Sequence, residues 1–219
     1  MTGRSNIITT LIVCIGCACA PFTASAAGNW IEKLFKRNDT TQTVAAEHPN
    51  LSELTVDENL LIPELTDKQR NKVCKLQATE AKRLEGVEGL EVKQMRNKEV
   101  IHITIAASLL FAPNETTLLD SSDAILRSIL PCLRTPDYYH MLLVMHSDNT
   151  GNESYNYTLT TDRVSAIYDW IEQNGGCVDY VVPYAAGSYE PISPNNTIAG
   201  RAQNRRLEIY LIPAEKMIM

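Results

Sequence analysis

Asp148 and Arg163 are the residues whose types and settings point to chemistry. Asp148 opens Asp148-Asn149-Thr150-Gly151, just after the continuously apolar residues 141–145 and His146-Ser147, where a strand gives way to a loop. Arg163 belongs to Thr160-Thr161-Asp162-Arg163, which reads as the start of a helix with Thr160 as N-cap. A cation in a first turn opposes the helix dipole, at a cost of some tenths to about 1 kcal/mol. Two explanations for an arginine there stand side by side. One is a surface ion pair with Asp162 or Glu153, a common and weak arrangement. The other is a carboxylate site, made by the free N–H groups of the helix start together with the guanidinium, with Asp148 on the neighbouring strand end as a separate negative group for an ammonium. A site of both signs suits the zwitterionic head of an amino acid, held without covalent chemistry.

Other chemistries lack their parts. A hydrolase needs a zinc site or an activated Cys or Ser beside a His. Cys132 and Cys177 fall at helix ends with no nearby His, and no Gly-x-Ser-x-Gly occurs. His102, His140 and His146 lack metal-ligand spacing, and residues 148–159 fail as a calcium loop because the sixth is Glu153 and the twelfth Leu159. The expectation is a binding protein rather than an enzyme, with no metal and no cofactor.

The elements that position these residues follow from periodicity. Thr66-Asp67-Lys68-Gln69 fits a capping box, after which Val73, Leu76, Ala81 and Leu84 share one side of a helix that Gly86 and Gly89 end. Cys74 beside that stripe reads as a small packing residue. Ile101, Ile103 and Ile105 alternate with polar or small residues, as in a strand with one dry face. Residues 118–133 then carry a helical pattern, weakened at its end by Pro131, and 141–145 read as a central strand. Residues 160–173 form a second helix stopped by Gly175-Gly176, followed by a short strand at 180–184. In the last strand Leu207, Ile209 and Leu211 alternate with Arg206, Glu208 and Tyr210. The fold class is α/β (α+β), a two-layer sandwich with helices on one face of a small sheet. On this pattern Arg205 shares the parity of Leu207 and is the better ligand candidate of its pair, while Arg206 reads as a solvated cross-strand charge. Cys132 and Cys177 fall at one edge of such a topology, where an oxidising compartment is able to join them, although two free thiols are the simpler expectation.

These residues also match a known pattern. Asp148-Asn149-Thr150-Gly151, Tyr155-Asn156, Leu159-Thr160, Arg163, and then Asn195-Asn196-Thr197-Ile198-Ala199-Gly200-Arg201-Ala202-Gln203-Asn204-Arg205-Arg206-Leu207-Glu208-Ile209 closely resemble the OmpA-like peptidoglycan-binding domain, over about residues 99–213. The resemblance implies a β-α-β-α-β sandwich that binds diaminopimelate-containing peptidoglycan non-covalently. It implies that Asp148 holds the side-chain ammonium of diaminopimelate and Arg163 its carboxylate. Asn156 matches a position that shapes the same pocket, and Asn204 and Arg205 match the run beside it. Where the family has Gly-His/Tyr-Thr-Asp this chain has Met145-His146-Ser147-Asp148, and Ala185-Ala186-Gly187 stands for Gly-Tyr/Phe-Gly. Neither departure touches the two charged residues.

Composition bounds the rest. The 219 residues carry 20 Lys+Arg against 26 Asp+Glu, a net charge of −6, so a nucleic-acid partner is not expected. Arg4 precedes an apolar run at 7–20, Pro21 ends it, and Ala24-Ser25-Ala26 offer a cleavage site, the three parts of a secretory signal over 1–26. The small residues before Cys17 and Cys19 leave lipoprotein processing as the alternative. Residues 27–65 read as a flexible segment, 66–98 as a helix and connector, and 99–219 as the binding domain. The apolar run carries no intramembrane Asp, which disfavours a stator, and the residues before the domain show no series of alternating strands that would build a barrel. The expectation is an exported periplasmic protein of a Gram-negative envelope, associated with the outer membrane and the wall. Its partners are the diaminopimelate stem peptide of peptidoglycan and an outer-membrane or envelope protein met through the N-terminal region. The alternative is a periplasmic interaction adaptor without wall binding.

Overall fold

A computed structural model describes residues 63–219. The expectations for the export signal and for nearly all of the flexible segment fall outside the described residues. The chain enters through α1 (Asp67–Glu85), where the Thr66 side chain accepts from the Gln69 amide and the Gln69 side chain answers the Thr66 N–H, as the capping box requires. Val73, Ala81 and Leu84 are buried on its inner face, and Gly86 closes it.

Five strands follow in the spatial order β1 (Glu91–Met95), β2 (Val100–Ala106), β5 (Arg206–Pro213), β3 (Tyr139–His146), β4 (Val181–Gly187). β1 is the strand that the sequence reading passed over as connector. Its five residues, Glu-Val-Lys-Gln-Met, hold too few apolar side chains to show a period, and its pairing with β2 is what makes it a strand. β5 lies between β2 and β3, antiparallel to both, while β3 and β4 run parallel. Continuous hydrophobicity in β3 has a direct cause: Met141, Leu143 and Met145 join the helix-side core, and Leu142 and Val144 on the other face are equally inaccessible.

The helices covering this core are α2 (Ser122–Ile129), continued by a 3₁₀ turn through Leu130–Leu133, and α3 (Glu153–Gln173). Pro131 sits in that 3₁₀ turn, where its missing N–H breaks the α pattern. α3 starts earlier than the sequence reading had it. Asn152 is the N-cap, its side chain accepting from the Tyr155 amide at 2.8 Å, and Thr160 lies well inside the helix. Two short helices complete the chain, α4 (Ile198–Asn204) before β5 and α5 (Glu215–Ile218) after it.

One further correction concerns β5. Arg206 and Glu208 are not solvated: they are 2% and 7% exposed. Arg206 Nε donates to Glu208 Oε1 at 2.6 Å, and Tyr210 donates its hydroxyl to Glu208 Oε2 at 2.6 Å. Alternation identified the apolar face correctly, but a paired charge network permits the opposite face to be buried as well. The three cysteines among the described residues are free thiols. The backbones of Cys177 and Leu133 meet through an N–H to carbonyl bond of 3.0 Å. The thiols diverge nonetheless, Cys132 toward Glu80 at 3.1 Å and Cys177 toward Asp179.

Candidate functional site

Topology brings the charged residues together before any side chain is considered. Because β5 runs antiparallel to β3, the last residue of β3, His146, pairs with the first of β5, Arg206. Ser147-Asp148 and Arg205 therefore emerge at the same end of the sheet. β2 ends there too, Ala106 pairing with Arg206 and the Ala107 amide bonding the Arg205 carbonyl at 3.0 Å. β4 contributes Gly187, whose carbonyl takes the Ser147 N–H at 2.7 Å. The β3–β4 register shifts between Met145 and His146, and Met145 itself points into the core with no exposure.

Asp148 is 5% exposed, and its carboxylate is already partnered. Oδ1 accepts the Thr150 N–H at 2.7 Å, and Oδ2 accepts Nη1 of Arg205. Burial alone would raise its pKa, but the bonds from Thr150 and Arg205 outweigh that and hold the carboxyl below its usual range. Asp148 is thus a carboxylate at any neutral pH.

Arg163 sits about three turns into α3, so the helix N-terminus plays no part in its setting. The ion pair with Asp162 or Glu153 does not form among the described residues, and the free N–H groups of the helix start do not adjoin the guanidinium. Its guanidinium instead reaches across to the loop after β2: Nε donates to the Glu115 carbonyl at 2.8 Å, Nη2 to the Ala112 carbonyl at 3.1 Å, and the group lies 4.9 Å from the centre of the Phe111 ring. Burial lowers its pKa, and the nearby charge of Arg205 acts in the same direction. The two guanidinium groups are thus within electrostatic reach of each other, and Arg205 in turn holds Asp148. Phe111 and the two loop carbonyls were missed from the sequence. Carbonyls have no residue-type signature, and a single Phe after a strand reads as core.

The remaining candidates fall into supporting places. Asn156 is 3% exposed on α3, its amide oxygen 3.8 Å from where a side chain on Gly151 would begin. Thr160 Oγ1 donates to the Asn156 carbonyl at 2.9 Å and accepts the Gly187 N–H at 3.2 Å, tying α3 to β4 beside the site. Asn204 is fully buried and its amide is spent on one loop: Oδ1 accepts the Ile192 and Ser193 N–H groups at 2.9 Å each, while Nδ2 donates to the Ser193 carbonyl and to Asn195 Oδ1 at 2.8 Å each. Gly200 lets the same loop approach α4, since a Cβ there would lie 2.0 Å from the Pro194 carbonyl oxygen. Among the described residues no group of three or more His, Cys, Asp or Glu is placed to hold a metal ion. Burial and the neighbouring Glu80 push the Cys132 thiol far up, which keeps it protonated.

Known proteins resemble this chain in sequence and fold. The OmpA family matches residues 110–205. A peptidoglycan-binding protein, ArfA, of Mycobacterium tuberculosis is 28% identical over 114 residues, covering 52% of this chain and 35% of its own length. An outer membrane protein A of Bordetella avium is 26% identical over 152 residues, covering 67% of this chain and 78% of its own. Among solved structures, the cell wall anchor of the T6SS from Pseudomonas aeruginosa superposes with a TM-score of 0.52 at 25% identity, covering 67% of this chain and 99% of that one. The chain thus spans about a third of ArfA.

Proposed function

Residues 110–205 match the OmpA family, and from that premise we propose that the chain binds peptidoglycan non-covalently through the zwitterionic end of a diaminopimelate side chain. Asp148 takes the ammonium and Arg163 the carboxylate. The observation that carries this reading is the setting of Arg163, a buried cation whose Nε and Nη2 are fixed by loop carbonyls and which meets no carboxylate among the described residues. A buried guanidinium that meets only neutral acceptors is costly unless an anion completes it. Asp148, separately desolvated and held ionised, supplies the opposite sign at the same sheet end. Phe111 and Asn156 shape the space between them, and Asn204 positions the neighbouring loop rather than touching the ligand.

In this role the protein is an anchor and performs no bond-breaking. It resides in the periplasm and ties the outer membrane, or an envelope partner reached through its N-terminal region, to the wall. The comparison proteins support an envelope location by their printed descriptions, as an outer membrane protein and as a cell wall anchor. Co-sedimentation with purified sacculi tests the reading. Wild-type protein is expected in the pellet, with Asp148→Ala and Arg163→Ala left in the supernatant. Equal retention of all three would overturn the site. Soluble muropeptides released by the pure protein would overturn the non-catalytic role.

A further inference from the structure

The ammonium subsite already contains a cation. Arg205 Nη1 bonds Asp148 Oδ2, and among the described residues no second acceptor holds that guanidinium. The Arg205 side chain is 42% exposed, against 7% for that of Asp148. A pair this open to water on one side is weak and exchanges readily. The local charges are two guanidinium groups and one carboxylate, and a zwitterion adds nothing to that balance.

We infer that Arg205 stands in for the ligand's ammonium in the free protein, and that on binding it moves from Asp148 to a second carboxylate of the ligand. The full ligand head is therefore one ammonium with two carboxylates, received by Asp148, Arg163 and Arg205. This rests on the proposed recognition of a diaminopimelate peptide and adds the exchange and the second anionic group to it. The physical reasoning is a balance of pairs. An ammonium that displaces Arg205 gains Asp148 but strands a guanidinium, and part of the gain is lost. A second carboxylate re-engages it in the fork geometry that arginine offers and lysine lacks. Arg163 is unable to fill this role, because Ala112 and Glu115 hold it in place.

Calorimetric titration of the full chain separates the possibilities. The probes are the tripeptide L-alanyl-γ-D-glutamyl-meso-diaminopimelate and the same peptide with every carboxyl amidated except that of the zwitterionic head. Wild type is expected to prefer the first by roughly two- to tenfold, the range of a partly exposed charge pair. In Arg205→Gln the preference should fall to about one, with the amidated peptide binding at least as tightly as to wild type because its competitor is gone. Arg205→Lys should restore only part of the preference. Equal weakening of both peptides by Arg205→Gln, or an undiminished preference, would overturn the exchange while leaving diaminopimelate recognition intact. Failure of wild type to bind either peptide would overturn both.

Discussion

Arg205 and Arg206 are neighbours in the chain, and each meets a carboxylate, yet their surroundings make them different devices. Arg206 gives Nε to Glu208, Nη1 to the Asn204 carbonyl at 3.2 Å and Nη2 to the Glu190 carbonyl at 3.1 Å, so every nitrogen of its guanidinium has an acceptor. Its side chain is 3% exposed and its partner's 9%. Among the described residues Arg205 has Asp148 alone, and its side chain is 42% exposed. The chain path produces the difference, since Arg205 is the last residue before β5 and Arg206 the first within it, buried on a face of the sheet. The comparison teaches that an arginine whose every guanidinium nitrogen is bonded to protein is structural, whereas one held by a single contact on its exposed side keeps donors to spare, as the proposed ligand role of Arg205 requires.

Removing Arg206 should have the largest effect. Arg206→Ala leaves Glu208 buried beside Tyr210 with its cation gone, a loss of about 3–5 kcal/mol that chemical denaturation would register. A change under 1 kcal/mol would erase the distinction between the two arginines. Gly200→Ala should come next, at about 1–3 kcal/mol, because the new Cβ collides with the Pro194 carbonyl and pushes away the loop that supplies the Glu190 acceptor. Arg205→Ala should cost under about 1 kcal/mol of stability, as expected for a pair with one exposed member, while still changing ligand preference.

The smallest effect concerns pH. His146 is buried beside the Arg206–Glu208 pair, its Nε2 3.7 Å from Glu208 Oε2 and so beyond hydrogen-bond reach. Burial lowers its pKa, the charges of Arg206 and His102 act the same way, and Glu208 opposes them. The folded protein therefore binds fewer protons here than the unfolded chain. Stability from this residue is present above about pH 6.5 and falls as pH drops toward the lower folded value, with a slope of at most about 1.4 kcal/mol per pH unit. His146→Gln should flatten that slope between pH 7 and 5 in denaturation curves. An unchanged slope would mean the histidine does not titrate with folding.

Legibility from sequence tracked the range of the interactions. The capping box at Thr66, the alternation in β2 and the apolar run of β3 are local patterns, and all three became the expected elements. β1 was invisible because its strand character comes from β2 rather than from its own residues. The start of α3 was misplaced because Asn152 lies within a run of loop-forming residues, where nothing local distinguishes the residue that caps. Asp148 and Arg163 were legible as types at a spacing, but the reason first given for Arg163, a helix start, was not the right one. What holds it is a pair of backbone carbonyls brought close by folding. Arg206 shows the same limit, since burial on both faces of β5 depends on partners far away in the chain.

The most direct test uses walls that differ only in the third stem residue. Full-length protein should co-sediment with diaminopimelate-type sacculi and remain in the supernatant with lysine-type sacculi, because a lysine side chain ends in an ammonium for Asp148 without a carboxylate for Arg163. Equal retention on both would contradict the account.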